Sequence, residues 1–170
     1  MRRRRKPAIS RCRSTSSGER GDGGVEPMAV ALSEAEVAAA AGEVPVGAAL
    51  VAPDGSLLAR DHNRIEERHD PTAHAEMLVI QAAAARLGSP RLVGCDLYVT
   101  LEPCPMCATA ASLARLRRVY YGADDPKGGG VDHGPRIFAS PTCHHRPEVY
   151  GGIAASRSAD LLRAFFKARR

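Results

Sequence analysis

Two short segments, His74-Ala75-Glu76 and Pro103-Cys104-Pro105-Met106-Cys107, decide how this sequence is interpreted. Each lies at the predicted start of a helix. Cysteines three residues apart in a first helical turn lie on one face, and the positive end of the helix dipole favours their thiolate forms. The two sulfur atoms and the His74 ring can therefore bind the same metal ion.

Three protein ligands are typical of a catalytic zinc site. Zinc prefers four ligands, and a site with three protein ligands keeps its fourth position for water, whereas a structural site is closed by a fourth side chain. Glu76 can lie beside that water without being a ligand, and it can accept and return the proton. The alternative is a closed zinc module, although we expect Cys95 to be a small buried apolar side chain. The residues that could close such a module are Cys95, Cys143, His144 and His145.

The segments around these motifs alternate between strand and helix patterns. Pro53-Asp54-Gly55 separates two apolar runs and is typical of a β-hairpin. Asp70 or Thr72 is expected to cap the helix that follows it, and Ser156 or Ser158 the last helix. Strands alternating with helices of about a dozen residues indicate an α/β fold with crossover connections. We expect helices at Met28–Ala41, His74–Leu87, Pro103–Leu113 and Ser156–Arg170, strands at Val46–Ala52, Leu57–Arg60, Asp96–Leu101 and Arg118–Gly122, and mostly irregular structure from Gly122 to Gly152.

Length and composition favour one globular domain. The chain has 170 residues, of which 44% are hydrophobic and 25% charged. Its longest apolar runs, such as Val46 to Ala52, fall short of the about 18 residues that a membrane-spanning helix needs. Five cysteines without a secretory signal argue against a disulfide framework, so we expect a reducing compartment, the cytoplasm.

Residues 1–27 form a basic leader that contains glycines and serines but almost no large apolar side chains. Such a segment cannot offset the entropy of ordering, so we expect it to be disordered. Two alternatives remain open: a translation start at Met28 and an organelle transit peptide. The folded domain is expected to span residues 28–170.

Positive charge is concentrated in the second half of the domain. The net charge of +5 is accounted for by the leader, yet residues 115–170 carry eleven basic and five acidic side chains. In the last helix Leu161, Leu162, Phe165 and Phe166 form one apolar stripe, and Arg169 projects near it. Basic side chains lie on nearly the opposite side, at Arg163, Lys167 and Arg170. This pattern fits a docking helix, whose basic face is either solvated or bound to a polyanion.

The combination of H-x-E with P-C-x-x-C is the signature of the zinc deaminases. From Met28 to Arg170 the sequence resembles the bacterial tRNA adenosine deaminases of the cytidine and deoxycytidylate deaminase superfamily. It departs from that family's pattern at Asp132–Arg136 and Pro141–Pro147. The resemblance is carried by Glu43–Ala48, His62–Arg64, Arg68–Glu76, Leu97–Cys104, Tyr121–Ala123 and Phe165–Arg170.

The resemblance implies a cytidine-deaminase-like fold of three layers, with a central mixed sheet flanked by helices, and a homodimer. It implies one zinc ion per subunit, held by His74, Cys104 and Cys107, with Glu76 as the proton shuttle. The implied reaction is hydrolytic conversion of adenosine to inosine at the wobble position of a tRNA anticodon stem-loop, where unpaired bases reduce the cost of extruding a nucleotide.

The resemblance also implies substrate contacts. Asn63 corresponds to a base-contacting asparagine, with a turn residue as the alternative, and Pro45 lies in a matching segment. Lys127 can contact phosphate, although an exposed lysine is usually only solvated. Phe166, Lys167 and Arg170 are expected to contact the anticodon stem-loop. His144 and His145 can stack on bases or contact the RNA backbone, or they are ordinary surface residues.

Two other functions fit parts of the sequence. Pro103–Cys107 also resembles the guanine deaminases, which act on a small free base. A zinc-stabilised RNA-binding module would keep the basic last helix but would not need Glu76. The excess of basic residues after position 114 favours a polyanionic substrate over a free base.

Overall fold

The computed structural model describes residues 26–169. Within this range the chain forms five strands, five α-helices and one short 3-10 helix. The helices are α1 (Pro27–Ala41), α2 (Ile65–Arg68), α3 (Ala75–Leu87), α4 (Pro105–Leu113) and α5 (Ala155–Lys167), and the 3-10 helix is Ile137–Ala139. The strands are β1 (Gly47–Val51), β2 (Leu57–His62), β3 (Asp96–Leu101), β4 (Arg118–Ala123) and β5 (Glu148–Tyr150).

The strands form one mixed sheet in the order β2-β1-β3-β4-β5. β1 is antiparallel to both β2 and β3, whereas β4 is parallel to β3 and to β5. The hairpin between β1 and β2 and the central mixed sheet are therefore confirmed. The register aligns Tyr98, Tyr120 and Tyr150, whose rings stack across three strands with centroids 4.4 and 4.9 Å apart.

Helices cover both faces of the sheet, which gives the predicted three layers. α1 and α5 contact each other and pack on one face, while α3 and α4 contact each other and pack on the other face. The apolar side chains of β1, β3 and β4 form the main core with α3 and α4. Gly47 lets α1 approach β1, because a Cβ atom at this position would lie 2.1 Å from the backbone oxygen of Ala31.

The helix starts differ from those predicted. α3 has His74 as its N-cap residue, while Asp70 bonds Thr72 in a separate turn, so the predicted caps of this helix are wrong. α4 begins at Pro105 and has Cys104 at its N-cap position. α5 starts after Ala154, which has a φ of 56° and no side-chain cap, so Ser156 and Ser158 do not cap it.

Three further differences concern segments that sequence patterns indicate only weakly. β5 lies within the segment expected to be mostly irregular, and α2 was not expected. α1 begins at Pro27, and the carboxylate of Glu26 caps it by accepting the backbone N–H groups of Met28 and Ala29. The domain therefore includes Glu26 and Pro27, while the leader predicted for residues 1–27 otherwise lies outside the described residues. Between residues 26 and 169, no helix has the length and apolar character needed to cross a membrane.

Candidate active site

The three predicted zinc ligands lie together where two helices begin. His74 precedes α3 and Cys104 precedes α4, and Cys107 lies in the first turn of α4. Nδ1 of His74 is 3.7 Å from Sγ of Cys104 and 3.6 Å from Sγ of Cys107. A tetrahedral zinc ion, with bonds of about 2.0 Å to nitrogen and 2.3 Å to sulfur, would place these atoms about 3.5 Å apart. The donor set and its spacing therefore fit zinc.

The two cysteines have unequal acidities. A hydrogen bond from Cys107 and another from His74 lower the pKa of the Cys104 thiol to about 4. The hydrogen bond to Cys104, together with burial, raises the pKa of the Cys107 thiol, and the hydrogen bond to Cys104 raises the pKa of His74. A metal ion must therefore displace protons from Cys107 and His74, so its affinity decreases as the pH falls.

Glu76 is buried in the first turn of α3, two residues from His74. Burial raises the pKa of its carboxyl group above the usual value, and the nearby charge of His74 acts in the opposite direction. A carboxyl group with a raised pKa exchanges protons more readily near neutral pH than an exposed one. The position and acidity of Glu76 are suited to moving a proton beside the ligand group.

A cleft of about 290 Å³ opens beside the ligand group. This volume is close to the lower end for small-molecule sites, about 300 Å³, and suits a single flat base. Pro45 is buried and does not line the cleft, but Val44 and Val46 on either side of it do. The lining residues are Val44, Val46, Asn63, Ile65, His74, Glu76, Leu101, Glu102, Cys104, Asp125 and Gly128.

Asn63 connects the cleft to the start of α3. Its Oδ1 accepts a hydrogen bond of 2.9 Å from the backbone N–H of Ala75. Because only the oxygen of the amide can accept this bond, the NH₂ group of Asn63 remains available as a donor. The same residue can therefore hold the His74 helix and contact a bound molecule.

Glu102 is an important residue that the sequence reasoning did not identify. Its buried carboxylate accepts hydrogen bonds from the backbone N–H groups of Asp125, Val131, Asp132 and His133. These donors belong to a loop beside the cleft, residues 124–133, which we call the wall loop. Burial opposes its ionisation, but hydrogen bonds from the backbone amides of His133 and Asp125 outweigh burial and keep the pKa of Glu102 low. A charged residue at the end of an apolar strand was a signal, but no local pattern indicated its partners.

The other predicted RNA contacts lie outside the cleft. Lys127 is exposed in the wall loop, beside the cleft residue Gly128. Phe166 is 50% exposed and lines a surface groove with Lys167 on α5, which packs on the other face of the sheet. Arg170 lies outside the described residues. Arg169, predicted near the apolar stripe, stacks on Phe165 with its guanidinium carbon 3.6 Å from the ring centroid.

The residues that could have closed a structural zinc site are elsewhere. Cys95 is buried in the main core, as expected. Cys143, His144 and His145 line a different groove, of about 330 Å³. The ring of His145 bonds the backbone oxygen of Leu116. Within residues 26–169, the ligand group at the cleft consists of His74, Cys104 and Cys107 alone.

A second group of possible ligands, Glu34, Asp61 and His62, lies between α1 and β2. Arg60 pairs with Glu34 at 3.4 Å, and Arg64 pairs with Asp61 at 2.7 Å. These arginines neutralise both carboxylates, so the group is better explained as an ion-pair network than as a cation site.

Comparison with known proteins agrees with this geometry. The family model of the cytidine and deoxycytidylate deaminase zinc-binding region matches residues 25–123. The chain is 58% identical over 143 residues to a tRNA-specific adenosine deaminase of Agrobacterium fabrum, covering 84% of this chain and 93% of that protein.

Solved structures show the same fold. One, from studies of A-to-I editing by tRNA:A34 deaminases at the wobble position of transfer RNA, is 58% identical with a TM-score of 0.78, covering 80% of this chain and 98% of that chain. A guanine deaminase from Bacillus subtilis is 28% identical with a TM-score of 0.57, covering 83% of this chain and 92% of that chain. The tRNA deaminase structure is thus the more similar of these two in both sequence and fold.

Proposed function

We propose that this chain, which belongs to the tRNA-specific adenosine deaminases of the cytidine and deoxycytidylate deaminase zinc-binding family, converts adenosine to inosine at the wobble position of a tRNA anticodon. The observation that carries this function is the 58% identity to a tRNA-specific adenosine deaminase, which extends over 93% of that protein. The reaction consumes one water molecule and releases ammonia.

His74, Cys104 and Cys107 would hold one zinc ion per subunit, because their donor atoms have the spacing that a tetrahedral ion requires. Bound zinc supplies Lewis-acid activation of water in such a site. Glu76 takes a proton from the attacking water and delivers protons to the purine and to the departing ammonia. Asn63 orients the base through its free NH₂ group.

Several other residues would contribute to RNA binding. Pro45 shapes the cleft indirectly, because it sets the positions of Val44 and Val46. Lys127 contacts a phosphate near the cleft, while Phe166, Lys167 and Arg170 contact the anticodon stem-loop. The support is the exposure of Lys127, Phe166 and Lys167 and the basic character of residues 115–170.

We further propose that the protein acts as a homodimer in the cytoplasm, the compartment of its tRNA substrate. Leu113 on α4 is 73% accessible and lines one groove with Ile137 and Cys143, and this apolar surface supports contact with a second copy. Sedimentation of the zinc-loaded protein at several concentrations should give twice the mass of one chain; a single-chain mass throughout would contradict the dimer.

Product analysis with two substrates tests the proposed reaction. The zinc-loaded protein is incubated separately with an anticodon stem-loop that carries adenosine at the wobble position and with guanine, and the products are separated by chromatography. We expect inosine from the stem-loop and no xanthine from guanine. Xanthine without inosine would establish the guanine deaminase alternative. The absence of both products would refute both functions.

A further inference from the structure

The carboxylate of Glu102 gathers hydrogen bonds from a loop 23 to 31 residues further along the chain. Its side chain has no exposed surface. The donors are the backbone N–H groups of Asp125 (3.1 Å), Val131 (3.2 Å), Asp132 (2.9 Å) and His133 (2.9 Å), and Nδ1 of His133 (2.6 Å). A carboxylate has two acceptor oxygens, whereas the glutamine amide has one, so glutamine could not accept this set of bonds.

Two glycines bring the wall loop into contact with Glu102 and with the start of α4. A Cβ atom on Gly129 would lie 2.5 Å from Cδ of Glu102, and one on Gly130 would lie 2.5 Å from the backbone nitrogen of Pro105. The N–H of Gly130 also donates to the backbone oxygen of Pro103. The wall loop is therefore packed against the segment that carries two of the three proposed zinc ligands, Cys104 and Cys107.

The same loop forms one side of the cleft, through Asp125 and Gly128. Residues 124–133 include three consecutive glycines and no helix or strand. Glycine-rich irregular segments have high conformational entropy unless they are fixed by other contacts. A wall that is already ordered favours binding, because substrate binding energy is not spent on the entropy of ordering the loop.

We propose that Glu102 and His133 are positioning residues, which hold the wall loop in place as a preformed side of the substrate cleft. This inference rests on the proposed function, because the cleft must receive the target base. His133 contributes both its backbone N–H and its ring Nδ1 to the bonds that Glu102 accepts.

His133 is the residue on which the inference can be tested. Replacing Glu102 would leave five donors without their acceptor and could prevent folding, whereas the side chain of His133 is 36% exposed. His133→Leu removes the ring donor and keeps a bulky side chain. His133→Asn is the matched control, because its amide NH₂ group can occupy the place of Nδ1 and donate to Glu102.

The experiment measures stem-loop deamination, zinc content and backbone hydrogen exchange for the wild type and both variants in the zinc-loaded state. For His133→Leu we expect faster exchange at the amides of Val131 and Asp132. We expect the KM of His133→Leu to rise about fivefold to twentyfold, because only the fraction of molecules with an ordered wall loop binds the substrate. The kcat value should stay within about twofold, with zinc content and melting temperature unchanged. His133→Asn should behave like the wild type.

Three results of the kinetic and zinc measurements would overturn the inference. The KM of His133→Leu could equal that of the wild type, its kcat could fall without a change in KM, or its zinc could be lost. The second would place His133 in the chemistry, and the third would give it a role in supporting the metal site. If the wild type does not deaminate the stem-loop, the proposed function fails, and unchanged amide exchange in His133→Leu would separately refute the holding of the loop.

Discussion

Replacement of Asn63 should separate the folding role of this residue from its role in substrate binding. Asn63 is 5% exposed, and its Oδ1 accepts the N–H of Ala75 at 2.9 Å, directly after the zinc ligand His74. Asn63→Ala leaves this buried N–H without its acceptor, which costs about 1–3 kcal/mol. For a domain of this size each kcal/mol shifts the melting temperature by roughly 3 °C, so we expect a decrease of about 3–9 °C.

Asn63→Asp is the matched variant. It retains an oxygen for the Ala75 N–H and replaces the free NH₂ donor with a second acceptor. A carboxylate at a helix N-terminus is favoured by the helix dipole, so the melting temperature should decrease by less than about 3 °C. Because the donor to the base is lost in both variants, deamination of a stem-loop should fall at least about tenfold in each.

The assay combines thermal unfolding of the zinc-loaded proteins with chromatographic measurement of inosine. Melting of Asn63→Ala at the wild-type temperature would refute the structural half of the reasoning, since the bond to Ala75 would then contribute nothing. Wild-type activity in Asn63→Asp would refute the other half, because the NH₂ group would not be needed to orient the base.

Three further substitutions test other parts of the structure. Glu76→Gln should lower turnover by about 10²–10⁴-fold yet retain one zinc ion per chain, and near-normal deamination would exclude Glu76 as the proton shuttle. Glu26→Ala should destabilise the protein by about 1 kcal/mol in thermal unfolding, because Glu26 caps α1. Glu36→Ala, which removes an exposed ion pair on the same helix, should cost less, and equal costs would contradict the cap. Lys167→Ala should weaken stem-loop binding and reduce the slope of log affinity against log salt concentration by somewhat less than one, the effect of one lost phosphate contact. Arg91→Ala is the control, because Arg91 is also exposed. Equal changes in the two variants would exclude a contact at Lys167.

The grouping of the three proposed zinc ligands was predictable because their placement depends on local sequence. Two cysteines three residues apart face one side of a helical turn whatever the rest of the chain does. The predicted helix starts were displaced by one or two residues, to Ala75 and Pro105, yet the ligand group formed. His74 and Cys104 are at N-cap positions, where a side chain still projects towards the start of the helix.

Elements fixed by distant contacts were not predictable in the same way. α2 has only four residues, and the buried carboxylate of Glu43 accepts the N–H groups of Ile65 and Glu67 at its start. β5 has three residues and exists as a strand because it pairs with β4. Short segments of this kind carry too little periodicity to indicate a helix or a strand.

The caps illustrate the same competition between local and distant partners. Asp70 and Thr72 have the right residue types to cap α3, but they bond each other. The first free N–H of the helix is instead satisfied by Asn63, twelve residues earlier. Asn63, expected to contact the base or to form a turn, thus also bonds the backbone directly after His74 at the start of α3.

Glu102 shows why a cleft can be less predictable than its ligands. Each of its acceptor bonds connects it to a residue more than twenty positions away, so no local pattern indicates them. Its charge is tolerated in a buried position because those donors replace water. The backbone donors place no demand on side chains, except that Gly129 and Gly130 must lack a Cβ atom. The wall loop can therefore change its sequence at exposed positions such as Lys127 while its path stays fixed, whereas at position 133 only a side chain that donates to Glu102 preserves the remaining bond.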